Sequence, residues 1–150
     1  CFGMKVLYPE RKGADRVREG YAAFDEVLTS ADVVSLHVPL NEDTANMIDA
    51  ESIARMKKGA ILINVSRGGL VDESALADAL RSGQLGGAGV DVATKEPPLK
   101  TNPLLANDLG NFILTPHSAW ASEEAVARLM VILHNNINQF VAGNPVNVVN

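Results

Sequence analysis

The sequence predicts an α/β fold built on a doubly wound parallel sheet, and three observations predict it. Short β-branched runs alternate along the chain with stretches of helical periodicity, the pattern of crossover units. The run at 61–65, Ile-Leu-Ile-Asn-Val, is apolar on both faces, as a central strand covered on each side reads. It leads into Ser66-Arg67-Gly68-Gly69, a turn of small residues with one guanidinium, and then into Asp72 and Glu73, acids placed at the positive end of a helix. Ligands of open α/β sheets sit outside the carboxyl ends of the strands, so Arg67 stands where chemistry is expected.

The remaining elements follow in order. Residues 6–8 read as a short strand ending in the polar turn Pro9-Glu10-Arg11-Lys12-Gly13. Residues 25–30 are helical, with Phe24, Val27, Leu28 and Ala31 on one side. Residues 33–38 form a second strand that Pro39 stops, because proline cannot donate to a ladder. Asp49 or Ser52 caps a short helix that runs to Met56 and closes at Gly59. After the strand at 60–65, Leu76, Ala79 and Leu80 make one face of a helix ended by Ser82-Gly83. Residues 87–92 are a strand in which Gly89 permits close backbone approach, 95–111 are loop, and 112–115 are the last strand. The longest helix is Glu123–Val141, whose Val126, Leu129, Met130, Leu133, Ile137 and Phe140 recur at helical spacing before Gly143 and Pro145 end it.

Composition narrows the function classes. A chain of 150 residues with 47% hydrophobic content can bury one ordinary core. A net charge of -5 without a basic run argues against nucleic acid as a partner. No stretch reaches the roughly 20 apolar residues that cross a bilayer. The single cysteine, Cys1, cannot form an internal disulfide, which fits a reducing, cytoplasmic compartment. Cys1-Phe2-Gly3 reads as a helix tail closed by a glycine, with no opening methionine, so the chain is expected to start within a domain. No Gly-x-Gly-x-x-Gly occurs, and its place would be before Cys1. The expected fold is therefore Rossmann-like but incomplete, with its first strand and glycine-rich loop absent.

Several residues are candidates for a site. Glu10 stands just past a strand, where dinucleotide folds put an acid on the adenosine ribose. Such a carboxylate repels a 2′-phosphate and favours NAD over NADP, although Arg11 and Lys12 beside it can pair with a phosphate, and a solvated turn glutamate is the plainer reading. Asp91 ends the Gly-Ala-Gly-Val-Asp strand, Glu96 follows in Thr94-Lys95-Glu96-Pro97-Pro98, and His117 follows the last strand. Arg67, Glu96 and His117 thus come after three different strands. An arginine clamps a carboxylate with two hydrogen bonds, and a carboxylate beside an imidazole raises its pKa, as a general acid or base needs. His37 ends a strand near where a cofactor is expected, while His134 belongs with the long helix. No cluster has metal-ligand spacing, so no metal is expected.

At these residues the chain resembles the D-isomer-specific 2-hydroxyacid dehydrogenases. Asn64-Val65-Ser66-Arg67-Gly68-Gly69-Leu70-Val71-Asp72, Gly89-Val90-Asp91-Val92, Glu96-Pro97-Pro98 and Thr115-Pro116-His117 are similar to that family's signature segments, in order. Within it, Glu10-Arg11-Lys12-Gly13-Ala14 and His117-Ser118-Ala119-Trp120 resemble the bacterial glycerate dehydrogenases, also called hydroxypyruvate reductases. The resemblance implies that Arg67 binds the substrate carboxylate and carbonyl, that Glu96 supports His117, and that His117 exchanges the proton while NADH delivers hydride to a small 2-keto acid. It implies that Ser35, His37, Val38, Pro39 and Thr44 lie along the cofactor, with Val65, Ser66 and Asp91 beneath the nicotinamide and a homodimer as the assembly. Residues 1–150 then form the later part of an NAD-binding domain, with a terminal helix region at 122–150 and no substrate domain.

Two further expectations follow. In the strand order 3-2-1-4-5-6, residues 6–8 and 33–38 count as strands 2 and 3 and residues 60–65 as strand 4, so a missing strand 1 leaves a gap that another chain fills or that direct pairing closes. The fragment alone is then expected to be inactive and not a simple monomer. An NAD-sensing corepressor module is the competing function, disfavoured by the lack of a modification-rich tail.

Overall fold

The computed structural model describes residues 3–149, and the chain divides into two units between Pro116 and His117. The helix tail expected at Cys1-Phe2 lies outside the described residues. In the first unit, β1 (Val33–Leu36), β2 (Ala60–Asn64), β3 (Leu85–Val90) and β4 (Phe112–Leu114) form one sheet in the order β1-β2-β3-β4. All its pairings are parallel, with Val34 opposite Leu62, Leu62 opposite Ala88, and Ala88 opposite Phe112. Parallel neighbours need crossovers. Helix α2 (Ala50–Arg55) joins β1 to β2, and α3 (Glu73–Ser82) joins β2 to β3. Helix α1 (Phe24–Ser30) precedes β1.

Helices α2 and α3 start where short acids cap them. Asp49, rather than Ser52, caps α2 by accepting from the Ser52 N–H at 2.8 Å. Lys12 Nζ donates to the same carboxylate at 2.8 Å and holds it well below the usual aspartate range. Asp72 caps α3 by accepting from the N–H groups of Ser74 and Ala75, and Gly83 closes it in the left-handed conformation. Ile48, Leu62, Leu70, Leu76 and Leu85 are fully buried in the core between sheet and helices.

The structure corrects the expected strands at their edges. β1 and β2 stop at the paired residues Leu36 and Asn64, short of 38 and 65, because the chain turns there. β3 begins and ends two residues earlier than expected, and a 3-10 turn, Pro103–Leu105, interrupts the expected loop. Residues 6–8 are not a strand. Val6 and Tyr8 are exposed, and the backbone here makes a single parallel bridge, Pro9 to Ala22, flanked by the Ala22 N–H to Tyr8 carbonyl bond.

The expected strand numbering fails as well: 33–36 is an edge strand of the observed sheet, and the Pro9–Ala22 bridge lies outside any named strand. β1 accordingly lies directly against β2, in register over its whole length, and no gap separates them.

The second unit begins at His117 and contains α4 (Glu123–Val141), which matches the expected span. Ser122 caps it by accepting from the Ala125 N–H at 3.2 Å. None of its residues is buried, so the apolar stripe through Leu129, Leu133 and Ile137 is exposed. No described helix is long and apolar enough to cross a membrane.

Candidate active site

The carboxyl end of β2 is built around a buried amide. Asn64 is 1% exposed. Its Nδ2 donates to the Arg67 carbonyl at 2.8 Å and its Oδ1 accepts from the Ser66 N–H at 3.1 Å, which closes the turn on which Arg67 stands. Ser66 Oγ donates to the Val38 carbonyl at 2.6 Å and ties the end of β2 to the segment following β1. The Arg67 side chain is exposed, and its Nη1 donates to the Ser66 carbonyl at 2.7 Å. Arg18, Arg55 and Arg81 are each ion-paired, but no carboxylate among the described residues pairs with Arg67. Its remaining donors are available to an anion.

The neighbouring segments supply apolar surface and one buried acid. Val38 and Val65 are 37% and 42% exposed just past their strands. Thr44 Oγ1 donates to the Pro39 carbonyl at 2.7 Å and accepts from the Asn41 N–H, so Thr44 and Pro39 shape one turn. His37 Nε2 lies 2.8 Å from Ser35 Oγ. Asp91, one residue past β3 and buried, accepts from Thr115 Oγ1 beyond β4.

Glu96 lies in the exposed segment after β3, and its Oε1 accepts from the Ala93 N–H at 3.0 Å. This segment is pressed against the Arg67 turn. A Cβ on Gly68 would fall 2.0 Å from the Ala93 carbonyl carbon and 2.3 Å from the Thr94 nitrogen. Both obstacles are backbone, so Gly68→Ala must part the two segments and is expected to destabilise the fold by about 1–3 kcal/mol or more. Urea unfolding measures it, and an unchanged midpoint would show that the segments separate freely.

Glu10 sits differently from a turn glutamate in solvent. It is 6% exposed, and its two oxygens take Arg18 Nε at 2.7 Å and Arg18 Nη2 at 2.9 Å, with the Arg11 N–H at 3.1 Å. The Arg18 side chain above all, assisted by the Arg11 N–H, lowers its pKa to about 2 from 4.5. The stability this contributes is full above pH 4.5 and fades as pH falls toward 2. Arg18 is stacked on the Tyr21 ring at 4.0 Å. A pocket of about 300 Å3 is lined by Glu10, Arg11, Arg16 and Arg18, a cationic set. Lys12 is engaged instead with Asp49, Ser52 and the Met47 carbonyl.

His117 opens the second unit with φ 52°, in the left-handed region. Only two other non-glycine residues among those described have positive φ, and both are asparagines, which tolerate it. Histidine is enriched there as well, and a non-glycine residue held in this region costs on the order of 1–3 kcal/mol and tends to persist at functional sites. Among the described residues no group of histidine, cysteine, aspartate or glutamate is arranged to hold a metal ion.

A family model described as D-isomer specific 2-hydroxyacid dehydrogenase, NAD binding domain, matches residues 1–119. The chain belongs to that family. It is 57% identical over 93% of its length to a putative 2-hydroxyacid dehydrogenase of Haemophilus influenzae, of which it covers 45%. It is 51% identical over 99% of its length to the glycerate dehydrogenase of Methylorubrum extorquens, covering 46%. The chain thus spans about half the length of these curated relatives. It also resembles the crystal structure of D-lactate dehydrogenase with NAD+ from Lactobacillus jensenii, at 34% identity and a TM-score of 0.83, over 99% of this chain and 48% of that one. Its parallel sheet is Rossmann-like, and the cofactor that the family's description names is NAD.

Three residues that brace these segments were not among the sequence candidates for the site. Asn64 left a signal, a lone amide at the end of the apolar run Ile61-Leu62-Ile63. Arg18 left none, because nothing in a polar stretch marks which arginine folds back on Glu10. Glu73 was legible only as a helix-opening acid, although its carboxylate faces the segment that carries Glu96.

Proposed function

We propose that this chain is the cofactor-binding part of an NAD-dependent dehydrogenase that interconverts a small D-2-hydroxy acid and its 2-keto acid, of the glycerate–hydroxypyruvate or glyoxylate type. The observation that carries this reading is Arg67, an exposed guanidinium without a carboxylate partner among the described residues, on a turn braced by Asn64. Its planar fork binds the substrate carboxylate and polarises the carbonyl. His117 donates a proton to the keto oxygen in reduction and takes it back from the hydroxyl in oxidation. Glu96 supplies the charge that favours imidazolium. Bound NADH supplies the hydride to the carbonyl carbon.

The edge of the sheet fits that cofactor in kind: Val38 and Val65 offer apolar surface for a flat ring, and Asp91 offers a buried acceptor for an amide. In this reading Val65, Ser66 and Asp91 hold the nicotinamide end, His37, Val38, Pro39 and Thr44 line the path, and Glu10 takes the adenosine ribose. Glu10 can do so only when Arg18 releases it. Arg18→Met in the complete enzyme is therefore expected to raise the preference for NADH over NADPH about tenfold, because it frees the carboxylate and removes a phosphate partner worth ~1.5 kcal/mol. The ratio of kcat/KM for the two cofactors measures this, and an unchanged ratio would take Glu10 and Arg18 out of cofactor selection.

The complete enzyme is proposed to be a cytoplasmic homodimer, which sedimentation checks. The 150-residue chain by itself is proposed to be inactive, since no Gly-x-Gly-x-x-Gly occurs in it. The deciding assay is reduction of hydroxypyruvate and glyoxylate by the complete enzyme with NADH. Cofactor binding without turnover of any small 2-keto acid would overturn the reading.

A further inference from the structure

We propose that Glu73 is a positioning residue that holds the segment bearing Glu96 in place beside the turn bearing Arg67. The inference rests on the reading of Arg67 and Glu96 as site residues. An acid at the first position of a helix has an ordinary explanation, the favourable end of the macrodipole. Here that task falls to Asp72, which accepts from the N–H groups of Ser74 and Ala75. The Glu73 carboxylate is spent elsewhere. Its Oε1 accepts from the Thr94 N–H at 2.8 Å, and its Oε2 accepts from Asn102 Nδ2 at 2.9 Å.

These two bonds clamp both ends of one excursion of the chain. Between Thr94 and Asn102 lie Lys95, Glu96 and the two prolines, without helix or strand. The far end is anchored in turn: Asn102 Oδ1 accepts from the Leu104 N–H at 2.9 Å, and Leu104 is buried in the core. At the near end the Ala93–Thr94 peptide is held from two directions, by contact with Gly68 and by the bond to Glu73. The preceding peptide donates the Ala93 N–H that Glu96 Oε1 accepts. Glu73 thus sets the position of the backbone that orients Glu96, while Gly68 sets its distance from the Arg67 turn. Without Glu73 the packing remains but the tether is lost, and catalysis is sensitive to such loosening, since a misplacement of ~1 Å can cost about 100-fold.

The test is a double-mutant cycle in the complete enzyme. Glu73→Ala is expected to lower kcat for hydroxypyruvate about 10- to 100-fold, with NADH affinity by fluorescence titration unchanged. Glu73→Gln, which keeps an oxygen for the Thr94 N–H, recovers part of the loss. In a Glu96→Gln background, Glu73→Ala adds little, because a residue acting through Glu96 has nothing left to position, whereas a merely structural role multiplies equally in both backgrounds. Amide hydrogen exchange supplies a readout apart from activity: Glu73→Ala accelerates exchange at Thr94 and leaves the interior of α3 unchanged. Where Glu73→Ala does not fold, the cycle is read on Glu73→Gln. If Glu96→Gln has no effect on turnover, the reading of Glu96 itself fails. If Glu96→Gln is costly but Glu73→Ala is harmless, or multiplies fully with it, the role of Glu73 alone is overturned.

Discussion

Glutamine in place of His117 is expected to cut turnover of the complete enzyme by about two to four orders of magnitude, the usual worth of a positioned acid or base. Glutamine keeps a polar side chain of similar reach, but it has no proton to exchange near neutral pH. Binding of NADH should stay nearly intact, because the substitution removes no charge that the cofactor needs. The backbone supplies a complication and its control. His117 has φ 52°, so part of any loss can come from a residue less tolerant of the left-handed region. Asparagine accepts that conformation readily. His117→Asn therefore keeps the backbone and removes the proton, and its turnover should fall as far as that of His117→Gln. Single-turnover measurements with bound NADH separate chemistry from product release. Turnover retained in His117→Asn would remove the histidine from proton transfer.

Arg67→Lys is expected to lose most of the activity although it keeps the charge. Arginine presents two parallel N–H groups to a carboxylate, and lysine presents a compact ammonium that holds it at one point. Losing one charge-assisted hydrogen bond of ~1.5–3 kcal/mol lowers kcat/KM by about 10- to 100-fold. The loss should be divided between turnover and substrate affinity, because the fork both binds the carboxylate and orients the carbonyl. Stability should change little, since the guanidinium is exposed and the one bond it makes among the described residues is to the Ser66 carbonyl. The Asn64 brace on the Arg67 backbone remains in the variant, so a fall in kcat/KM reads the side chain alone. Unchanged kinetics in Arg67→Lys would sink the assignment of substrate binding to this turn.

Legibility in the sequence followed the range of the interactions. β2 was readable to within one residue, and with it the turn that follows and α3, because a both-faces-apolar run, a glycine turn and an acid cap act over a few neighbouring positions. The span of α4 was readable for the same reason, from its periodicity and from Gly143 and Pro145 after it. The site candidates Arg67, Asp91, Glu96 and His117 were nameable because motif spacing placed them after strands, although their roles are a matter for the kinetics above.

What tertiary structure decided was pairing. A strand exists only where a second backbone meets its N–H and carbonyl groups. The alternation at 6–8 therefore left an exposed segment with one bridge to Ala22, and β1 came to lie directly against β2. The same applies to the charges. Glu10 and Glu73 looked like a ribose ligand and a helix-end acid, because their near neighbours allow those readings. In this structure their carboxylates are engaged by Arg18, and by Thr94 with Asn102, partners that only the folded chain brings within hydrogen-bonding distance. A carboxylate takes the nearest well-aligned donor, and which donor is nearest is a property of the fold rather than of the sequence around the acid.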